Sequence, residues 1–245
     1  MEKGSDCANI LYKGSKEECK NYRGISLLSI PGKVYGRIMI ERVRNITESR
    51  IGEEQGGFRK GRGCIDQIFT LRMLVEKHLA KDRKMFAAFM DLEKAYDRVD
   101  WEALWEVLRI YGVGGKLLDA LKDSYKGSKA CVKYGGKISN YFDVGVGVRQ
   151  GCVMSPWLFN VYMDGVIKEV KAKIAGAGVK MYESGDMWKV WTCLYADDAV
   201  LVAESESELQ KVVNEFERVC TRRKLKVNVS KSKIMVFEKS KYCTK

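Results

Sequence analysis

The sequence has few of the residues that mark several common classes of protein. Of its 245 residues one is histidine and two are proline, and its eight cysteines are scattered along the chain. No two cysteines stand in a Cys-x-x-Cys spacing, so the usual zinc sites built from cysteine and histidine are excluded. No apolar run is long enough to cross a bilayer, and no secretory signal is present. We therefore expect an intracellular protein, nuclear or cytoplasmic, with no membrane partner.

Positive charge is what the chain has in excess. Lysine and arginine total 44 against 32 acidic residues, which gives a formal net charge of +12. Such a surplus favours a polyanionic partner, nucleic acid before membrane, although it could also serve only to keep the protein soluble. With 46% hydrophobic residues, the chain can also bury a sizeable core. The single histidine, His78, lies in an amphipathic stretch and is predicted to be a surface residue.

Strand and helix patterns alternate irregularly along the chain. Residues 85–92 form an almost unbroken apolar run, which is typical of a buried central strand. The helical spacing of Val34, Ile38 and Val43 predicts a helix that begins near residue 31. Helix starts are indicated at Asp100, at Ser155 before Pro156, and at Ser205 with Glu208 three residues on. Core positions at helical spacing are predicted for Trp157, Phe159, Tyr162 and Met163. With hairpins between the strands, the fold class is α+β.

Three aspartates stand at the ends of predicted strands. Asp91 ends the apolar run, and Asp197 and Asp198 form a predicted turn between two strands rich in aromatic and β-branched residues. Taken alone, the Asp-Asp pair is more commonly an ordinary hairpin turn. If all three belong to one sheet, however, their carboxylates converge and repel, and they need a cation. Mg²⁺ prefers such oxygen ligands, and a pair of these ions can activate a hydroxyl and stabilise a leaving pyrophosphate.

Six stretches then make the chain recognisable, in this order: NYRGISLLS (21–29), QGGFRKGRGCIDQIFTLRML (55–74), FMDLEKAYDRVD (89–100), GVRQGCVMSPWLFNVYMD (147–164), YADD (195–198) and KLKVNVSKSKIMVF (224–237). Together they resemble the motifs of reverse transcriptases of non-LTR (LINE-type) retrotransposons, which are related to those of group II introns. The resemblance covers nearly the whole chain. It implies an RNA-directed DNA polymerase that transfers a nucleotide from a dNTP to a primer 3′-hydroxyl on an RNA template.

The resemblance also implies roles for the acidic residues. Asp91 and Asp197 would be the principal ligands of two Mg²⁺ ions, for which Mn²⁺ is a possible substitute. Asp198 would be a third catalytic carboxylate with a more peripheral role, and the backbone carbonyl of Leu92 a further metal ligand.

Other residues are implied to contact nucleotide or template. Tyr96 would be an aromatic gate that excludes a ribose 2′-hydroxyl, although a core aromatic is the structural alternative. The dNTP-binding set is completed by Lys13 (or Lys16), Arg23, Gln150, Gly151 and Lys231, with Lys233 as the competitor of Lys231. Template contacts are implied for Arg59, Lys60 and Arg62 in a glycine-rich loop, where each cation could equally be a solvated surface residue.

The resemblance implies a right-hand polymerase architecture. We expect fingers in residues 1–84 and a palm in residues 85–245, with further fingers elements at about 103–140. Because the chain ends soon after the last palm motif, we expect a fingers–palm core whose antiparallel palm sheet packs on helices, with the thumb absent. Two other functions stay open: a catalytically impaired RNA-binding remnant of a retroelement and an RNA-dependent RNA polymerase. The oligomeric state is not indicated.

Overall fold

The structure is a computed structural model that describes residues 5–10, 18, 21–134, 136–183 and 186–239. The helices are α1 (Ile30–Thr47), α2 (Cys64–Leu79), α3 (Trp101–Ile110), α4 (Gly115–Tyr125), α5 (Ser155–Lys173) and α6 (Glu206–Arg222). The strands are β1 (Ser5–Ile10), β2 (Tyr22–Leu27), β3 (Met85–Met90), β4 (Lys129–Tyr134), β5 (Lys137–Ile138), β6 (Phe142–Asp143), β7 (Val179–Glu183), β8 (Asp186–Val190), β9 (Thr192–Tyr195), β10 (Asp198–Ala203) and β11 (Lys233–Phe237). This mixture confirms the predicted α+β class. Among the described residues, no helix has the length and apolar character needed to cross a membrane.

The chain divides into two compact units. The first contains Met1–Arg50 and Tyr96–Tyr162, and the second contains Ile51–Ala95 and Met163–Lys245. The predicted division into fingers and palm follows a different principle, because it rests on family motifs rather than on compactness, and it stays a prediction.

The first unit is built on a sheet with the order β2-β1-β4-β5, in which β6 also pairs with β4. Only the β1–β4 pairing among these is parallel. Large aromatic side chains fill its helical core: the rings of Trp101 and Trp105 both meet Tyr125 edge-on, at centroid distances of 5.3 and 5.6 Å. The predicted core stripe of α5 is confirmed, since Trp157, Phe159, Tyr162 and Met163 are all fully buried.

The second unit is built on an antiparallel sheet with the order β11-β3-β10-β9. The predicted central strand is confirmed as β3, which pairs with β10 on one side and β11 on the other. Helix α6 packs against β3 and β10. Side chains of α2, β3, β7 and β10 form a hydrophobic cluster that includes Leu74, Ala87, Val179 and Val202. Pairing in this sheet therefore fixes the position of the C-terminal ends of β3 and β9 relative to the N-terminal end of β10.

The structure confirms one helix prediction and contradicts one prediction of exposure. The predicted helix is α1, in which Val43 is buried together with Gly36, Met39 and Ile40, while Val34 and Ile38 are exposed. A Cβ at Gly36 would lie 3.0 Å from Val153 Cγ2, so the helix packs through its glycine rather than through the larger apolar side chains. His78 is buried, not on the surface. Its Nδ1 lies 3.1 Å from the Leu74 carbonyl oxygen.

Candidate active site

The paired aspartates lie where β9 meets β10. Asp198 is the first residue of β10 and pairs with Tyr195, the last residue of β9. The sequence predicted a turn formed by Asp197 and Asp198. In the structure the turn is formed by Ala196 and Asp197 instead. Two-residue hairpin turns need positive φ, which glycine and asparagine adopt most easily. Ala196 takes this part with a φ of 59°.

Strand register brings Asp91 to the end of the sheet at which Asp198 lies. Met90, the last residue of β3, pairs with Ala199 of β10. Because the strands are antiparallel, the residue after Met90 continues toward the residue before Ala199, which places Asp91 beside Asp198. The partly buried Asp91 is held through its backbone: its N–H donates to Ser232 Oγ at 3.2 Å, and its carbonyl accepts from the Asn228 N–H at 2.8 Å.

The three carboxylates interact electrostatically. Partial loss of hydration raises the pKa of Asp198 above its usual value, and the negative charges of Asp197 and Asp91 raise it further. A positive charge is also near, because Lys231 Nζ lies 3.9 Å from Asp91 Oδ2. The side chain of Lys231 is 68% exposed, so this ion pair is open to solvent and weak. The arrangement concentrates negative charge that the protein neutralises only in part.

The carboxylates are not closed into a finished metal cage. Across the residues that the structure describes, no group of three or more histidine, cysteine, aspartate or glutamate side chains is arranged to hold a metal ion. The donor chemistry nevertheless fits a hard divalent cation, since the mutually repelling groups are all carboxylates. The predicted backbone ligand is the carbonyl of Leu92, a residue that forms an isolated antiparallel bridge with Val227. The two hydrogen bonds beside that bridge use the carbonyls of Asp91 and Lys226, not that of Leu92.

Most of the described residues predicted to contact the nucleotide belong to the first unit, whereas Lys231 belongs to the second. The ring of Tyr96 stacks on Phe159 at a centroid distance of 4.4 Å, with 18° between the planes. The Tyr96 carbonyl accepts from the Val148 N–H at 2.8 Å, two residues before Gln150. Gln150 is tied twice: its carbonyl accepts from the Ser26 N–H at 2.7 Å, and its Nε2 donates to Asp97 Oδ1 at 3.4 Å.

Gly151 has a structural reason to be glycine. Its φ is +89°, and a Cβ there would lie 3.0 Å from the Ser26 carbonyl oxygen of β2. Two other predicted nucleotide contacts come from the N-terminal part of the chain. Arg23 lies in β2, where the register pairs it with Asn9. Lys13 and its alternative Lys16 lie outside the described residues.

The three cations of the predicted template loop have different surroundings. Arg59 is 9% exposed, and its Nη1 donates to the carbonyls of Gly52 and Gln55 at 2.9 and 3.2 Å. Arg62 is ion-paired with Glu53, and Lys60 is exposed. Arg59 thus has a structural part, because its guanidinium already holds its own loop, and contact of any of the three cations with the template stays a prediction.

Trp101 was not singled out from the sequence. Its indole N–H donates to the Gly147 carbonyl at 2.8 Å, and the Gly147 N–H donates to the Val99 carbonyl at 2.8 Å. These bonds fix the segment that leads into Gln150. No local pattern in the sequence indicates this contact, because Trp101 and Gly147 are 46 residues apart.

The profile of the reverse transcriptase (RNA-dependent DNA polymerase) family matches residues 12–243. The chain belongs to the reverse transcriptase family. The resemblance seen in the six motifs is thereby confirmed.

The relatives of this reverse transcriptase chain are proteins of mobile elements. It is 30% identical over 222 residues, or 90% of its length, to an uncharacterised 149 kDa protein of transposon TX1 from Xenopus laevis. It is 28% identical over 200 residues, or 80% of its length, to a Pol polyprotein of the type-2 retrotransposable element R2DM from Drosophila melanogaster. The chain spans only 16% and 18% of the lengths of these two relatives.

Solved structures support the polymerase fold of this reverse transcriptase chain. It is similar to the telomerase of Candida tropicalis in complex with a fragment of telomeric RNA, with a TM-score of 0.64 and 13% identity. The similarity covers 95% of this chain and 41% of the telomerase chain. At that identity the likeness is one of fold.

Proposed function

We propose that this chain is the core of an RNA-directed DNA polymerase of a non-LTR retroelement, which extends a DNA primer on an RNA template with dNTPs. The observation that carries the proposal is the register of β3 against β10, which brings Asp91 beside Asp198 at the Ala196–Asp197 turn in a chain of the reverse transcriptase family. The net charge of +12 suits the polyanionic template and primer. Residues 1–84 are proposed as fingers and residues 85–245 as palm.

Reverse transcriptases generally use divalent metal ions, and we propose two Mg²⁺ ions here, with Mn²⁺ as a substitute. Asp91 and Asp197 would hold them, with Asp198 and the Leu92 carbonyl as further ligands. A divalent ion bound there would neutralise the triphosphate and lower the pKa of the primer 3′-hydroxyl. The chain itself supplies fixed carboxylates on strand ends, so that little reorganisation is needed during transfer.

The remaining proposed roles belong to residues around the nucleotide. Lys231, which already lies near Asp91, would place its ammonium on the triphosphate and donate a proton to the departing pyrophosphate. Tyr96 would face the sugar of the dNTP, and its stacking on Phe159 would keep the ring rigid against a 2′-hydroxyl. Gln150, Gly151, Arg23 and Lys13 complete the proposed dNTP set.

Primer extension tests the proposal. Wild-type chain should extend oligo(dT) on poly(rA) with Mg²⁺ and dTTP. Asp197→Asn should lower the rate by at least about 10²–10³-fold, which is the scale of losing one preorganised hydrogen-bond donor to developing charge. RNA binding should survive in the variant. Asp82→Asn is the matched control, because Asp82 is exposed and has a φ of 53°, which asparagine tolerates. Undiminished Mg²⁺-dependent extension by Asp197→Asn would sink the assignment.

Sugar selection gives a second, separate test. Tyr96→Val should incorporate UTP more readily than wild type does, because the smaller side chain leaves room for the 2′-hydroxyl. An unchanged ratio of dTTP to UTP incorporation would assign Tyr96 to the core alone. A wild-type preference for UTP would instead favour an RNA-dependent RNA polymerase, and RNA binding without extension would favour a non-catalytic remnant.

A further inference from the structure

The turn that presents Asp197 begins with an alanine in a conformation that alanine rarely adopts. Ala196 has a φ of 59°, in the left-handed region where its Cβ crowds the backbone. Ala196 is also buried, at 6% exposure. A residue in such a conformation persists only where its surroundings hold it there. The neighbouring contacts should therefore include a group that fixes the Ala196 backbone.

That group is the side-chain amide of Gln55. Gln55 is 1% exposed, and its Oε1 accepts from the Ala196 N–H at 3.0 Å, while its Nε2 donates to the Ala196 carbonyl at 3.3 Å. The amide of Gln55 therefore hydrogen-bonds to both the backbone N–H and the backbone carbonyl of Ala196. The same Oε1 also accepts from the Gly57 N–H at 2.8 Å, so both of its lone pairs are used.

The backbone around Gln55 is fixed to the same turn. The Gly56 N–H donates to the Leu194 carbonyl at 2.8 Å, and the Leu194 N–H donates to the Glu54 carbonyl at 2.9 Å. This makes a parallel bridge between Gln55 and Leu194 at the end of β9. Gly57 lies so close that a Cβ on it would be 2.5 Å from the Ala196 nitrogen. The Gln55 amide thus reaches Ala196 from a backbone that cannot easily move away.

We propose that Gln55 is a positioning residue for the catalytic turn: by holding Ala196 in the left-handed conformation, it sets the direction in which Asp197 leaves the turn toward the metal. The inference rests on the proposed function for its meaning. It concerns the residue before Asp197 and assigns Gln55 no contact with substrate or metal.

The side-chain chemistry explains why a glutamine serves here. Holding both groups of one residue requires an acceptor and a donor side by side on a planar group, which a primary amide provides. A glutamate at this position would keep the acceptors but lose the donor to the Ala196 carbonyl. A methionine would keep the length and volume but lose both functions.

The test compares Gln55→Met in two backgrounds, with alanine or with glycine at position 196. Glycine adopts positive φ without the Cβ penalty, so a turn built on it needs less help from Gln55. Three quantities are measured on the full chain: hydrogen exchange of the residue-196 amide, Mn²⁺ affinity by electron paramagnetic resonance, and primer extension. Gln210→Met is the matched control, since Gln210 is exposed on α6 and bonds to Asn214 there.

We expect Gln55→Met to remove the exchange protection of the Ala196 amide. It should also weaken Mn²⁺ binding on the order of tenfold, because that factor corresponds to the free energy needed to hold an alanine in the left-handed conformation. In the Ala196→Gly background the same change should weaken Mn²⁺ binding by no more than about twofold. Gln210→Met should change none of these. Rescue by glycine separates positioning from general damage, because a loosened core would not be repaired at residue 196.

The outcomes separate this inference from the proposed function. If wild type extends primers but Gln55→Met keeps both amide protection and Mn²⁺ affinity, the inference is overturned and the polymerase stands. If wild type fails to extend but binds Mn²⁺ through Asp197 with the expected glycine rescue, the polymerase proposal fails and the positioning role stands. If wild type neither extends nor binds Mn²⁺, both are overturned. Should Gln55→Met not fold, Gln55→Asn, one methylene shorter, gives the same comparison.

Discussion

Replacing Gly147 by alanine should destabilise the first unit by an amount that the structure lets us divide into two parts. The φ of Gly147 is +89°, which costs a residue with a Cβ about 1–2 kcal/mol. The new Cβ would also lie 2.9 Å from the Asp97 carbonyl oxygen and 3.0 Å from its Cα. These are backbone atoms that cannot rotate away, so overpacking should add about 1–3 kcal/mol. The sum is about 2–5 kcal/mol, a large part of the ~5–15 kcal/mol that holds a typical domain folded.

A second glycine in the same unit isolates the steric part. Gly136 has a φ of +77°, but a Cβ there would meet nothing within 4 Å. Gly136→Ala should therefore lose only the conformational ~1–2 kcal/mol. Both variants are measured by urea unfolding followed by circular dichroism. If Gly147→Ala costs no more than Gly136→Ala, the Asp97 backbone yields easily and the rigidity assigned to this segment is refuted.

Three further changes probe charge, buried hydrogen bonding and thiol reactivity. Partial burial and the charges of Asp197 and Asp91 raise the pKa of Asp198, so the stability that this group contributes is present at low pH and is lost as pH rises through that pKa. Asp198→Asn should therefore raise Tm at pH 7 and leave it unchanged at pH 3, and equal shifts at both pH values would contradict this. Thr47→Val removes the acceptor of the buried Trp157 indole N–H, 2.9 Å away, and should cost about 1–3 kcal/mol in urea unfolding, whereas Thr47→Ser should cost less. Burial raises the pKa of Cys193 to about 11, so iodoacetamide at pH 8 should label the exposed Cys64 first, as read by peptide mass spectrometry; equal labelling of the two in folded protein would mean that β9 opens readily.

Local patterns were sufficient to predict the central strand and several of the helices. The apolar run at residues 85–92 identified the central strand, because a strand paired on both sides and covered on both faces has few polar positions. Cap residues placed two helix starts: Asp100 accepts from the Ala103 N–H at 3.0 Å, and Ser205 accepts from the Glu208 N–H at 3.2 Å. These signals lie within a few residues of the feature that they predict.

The errors arose where packing between distant segments decides the outcome. Helical spacing predicted α1 correctly but did not indicate which face is buried, because the close contact is made by Gly36, which carries no hydrophobic signal. His78 was predicted to lie on the surface because its stretch is amphipathic. Its Nε2 lies 3.5 Å from Glu204 Oε1, in the bend between β10 and α6, more than a hundred residues further along the chain.

In the candidate site, too, local signals and distant contacts differ in how far the sequence reveals them. The sequence predicts that Asp91, Asp197 and Asp198 lie close together, since aspartates at strand ends are a local signal, and the structure brings them to one end of the sheet. Gln55 lies in the second motif, but its sequence context does not indicate a role, because its side chain contacts a residue 141 positions away. No periodicity or cap pattern reports a contact at that separation. Positioning residues of this kind are visible only once the fold brings the segments together.

The hairpin that carries Asp197 contains two features that a purely structural turn would avoid. Glycine or asparagine would adopt the conformation of Ala196 at less cost. An asparagine at position 198 would remove a carboxylate whose pKa is raised by partial burial and by the charges of Asp197 and Asp91. Both substitutions are expected to help folding of the metal-free chain. Such local disagreement with an otherwise consistent sheet is expected where a site serves a function rather than folding, since the same charges that oppose folding attract a cation. Next to the turn, the buried residues Ala199 and Leu194 pair across the two strands, so the carboxylates stand at the end of paired strands rather than on a long loop.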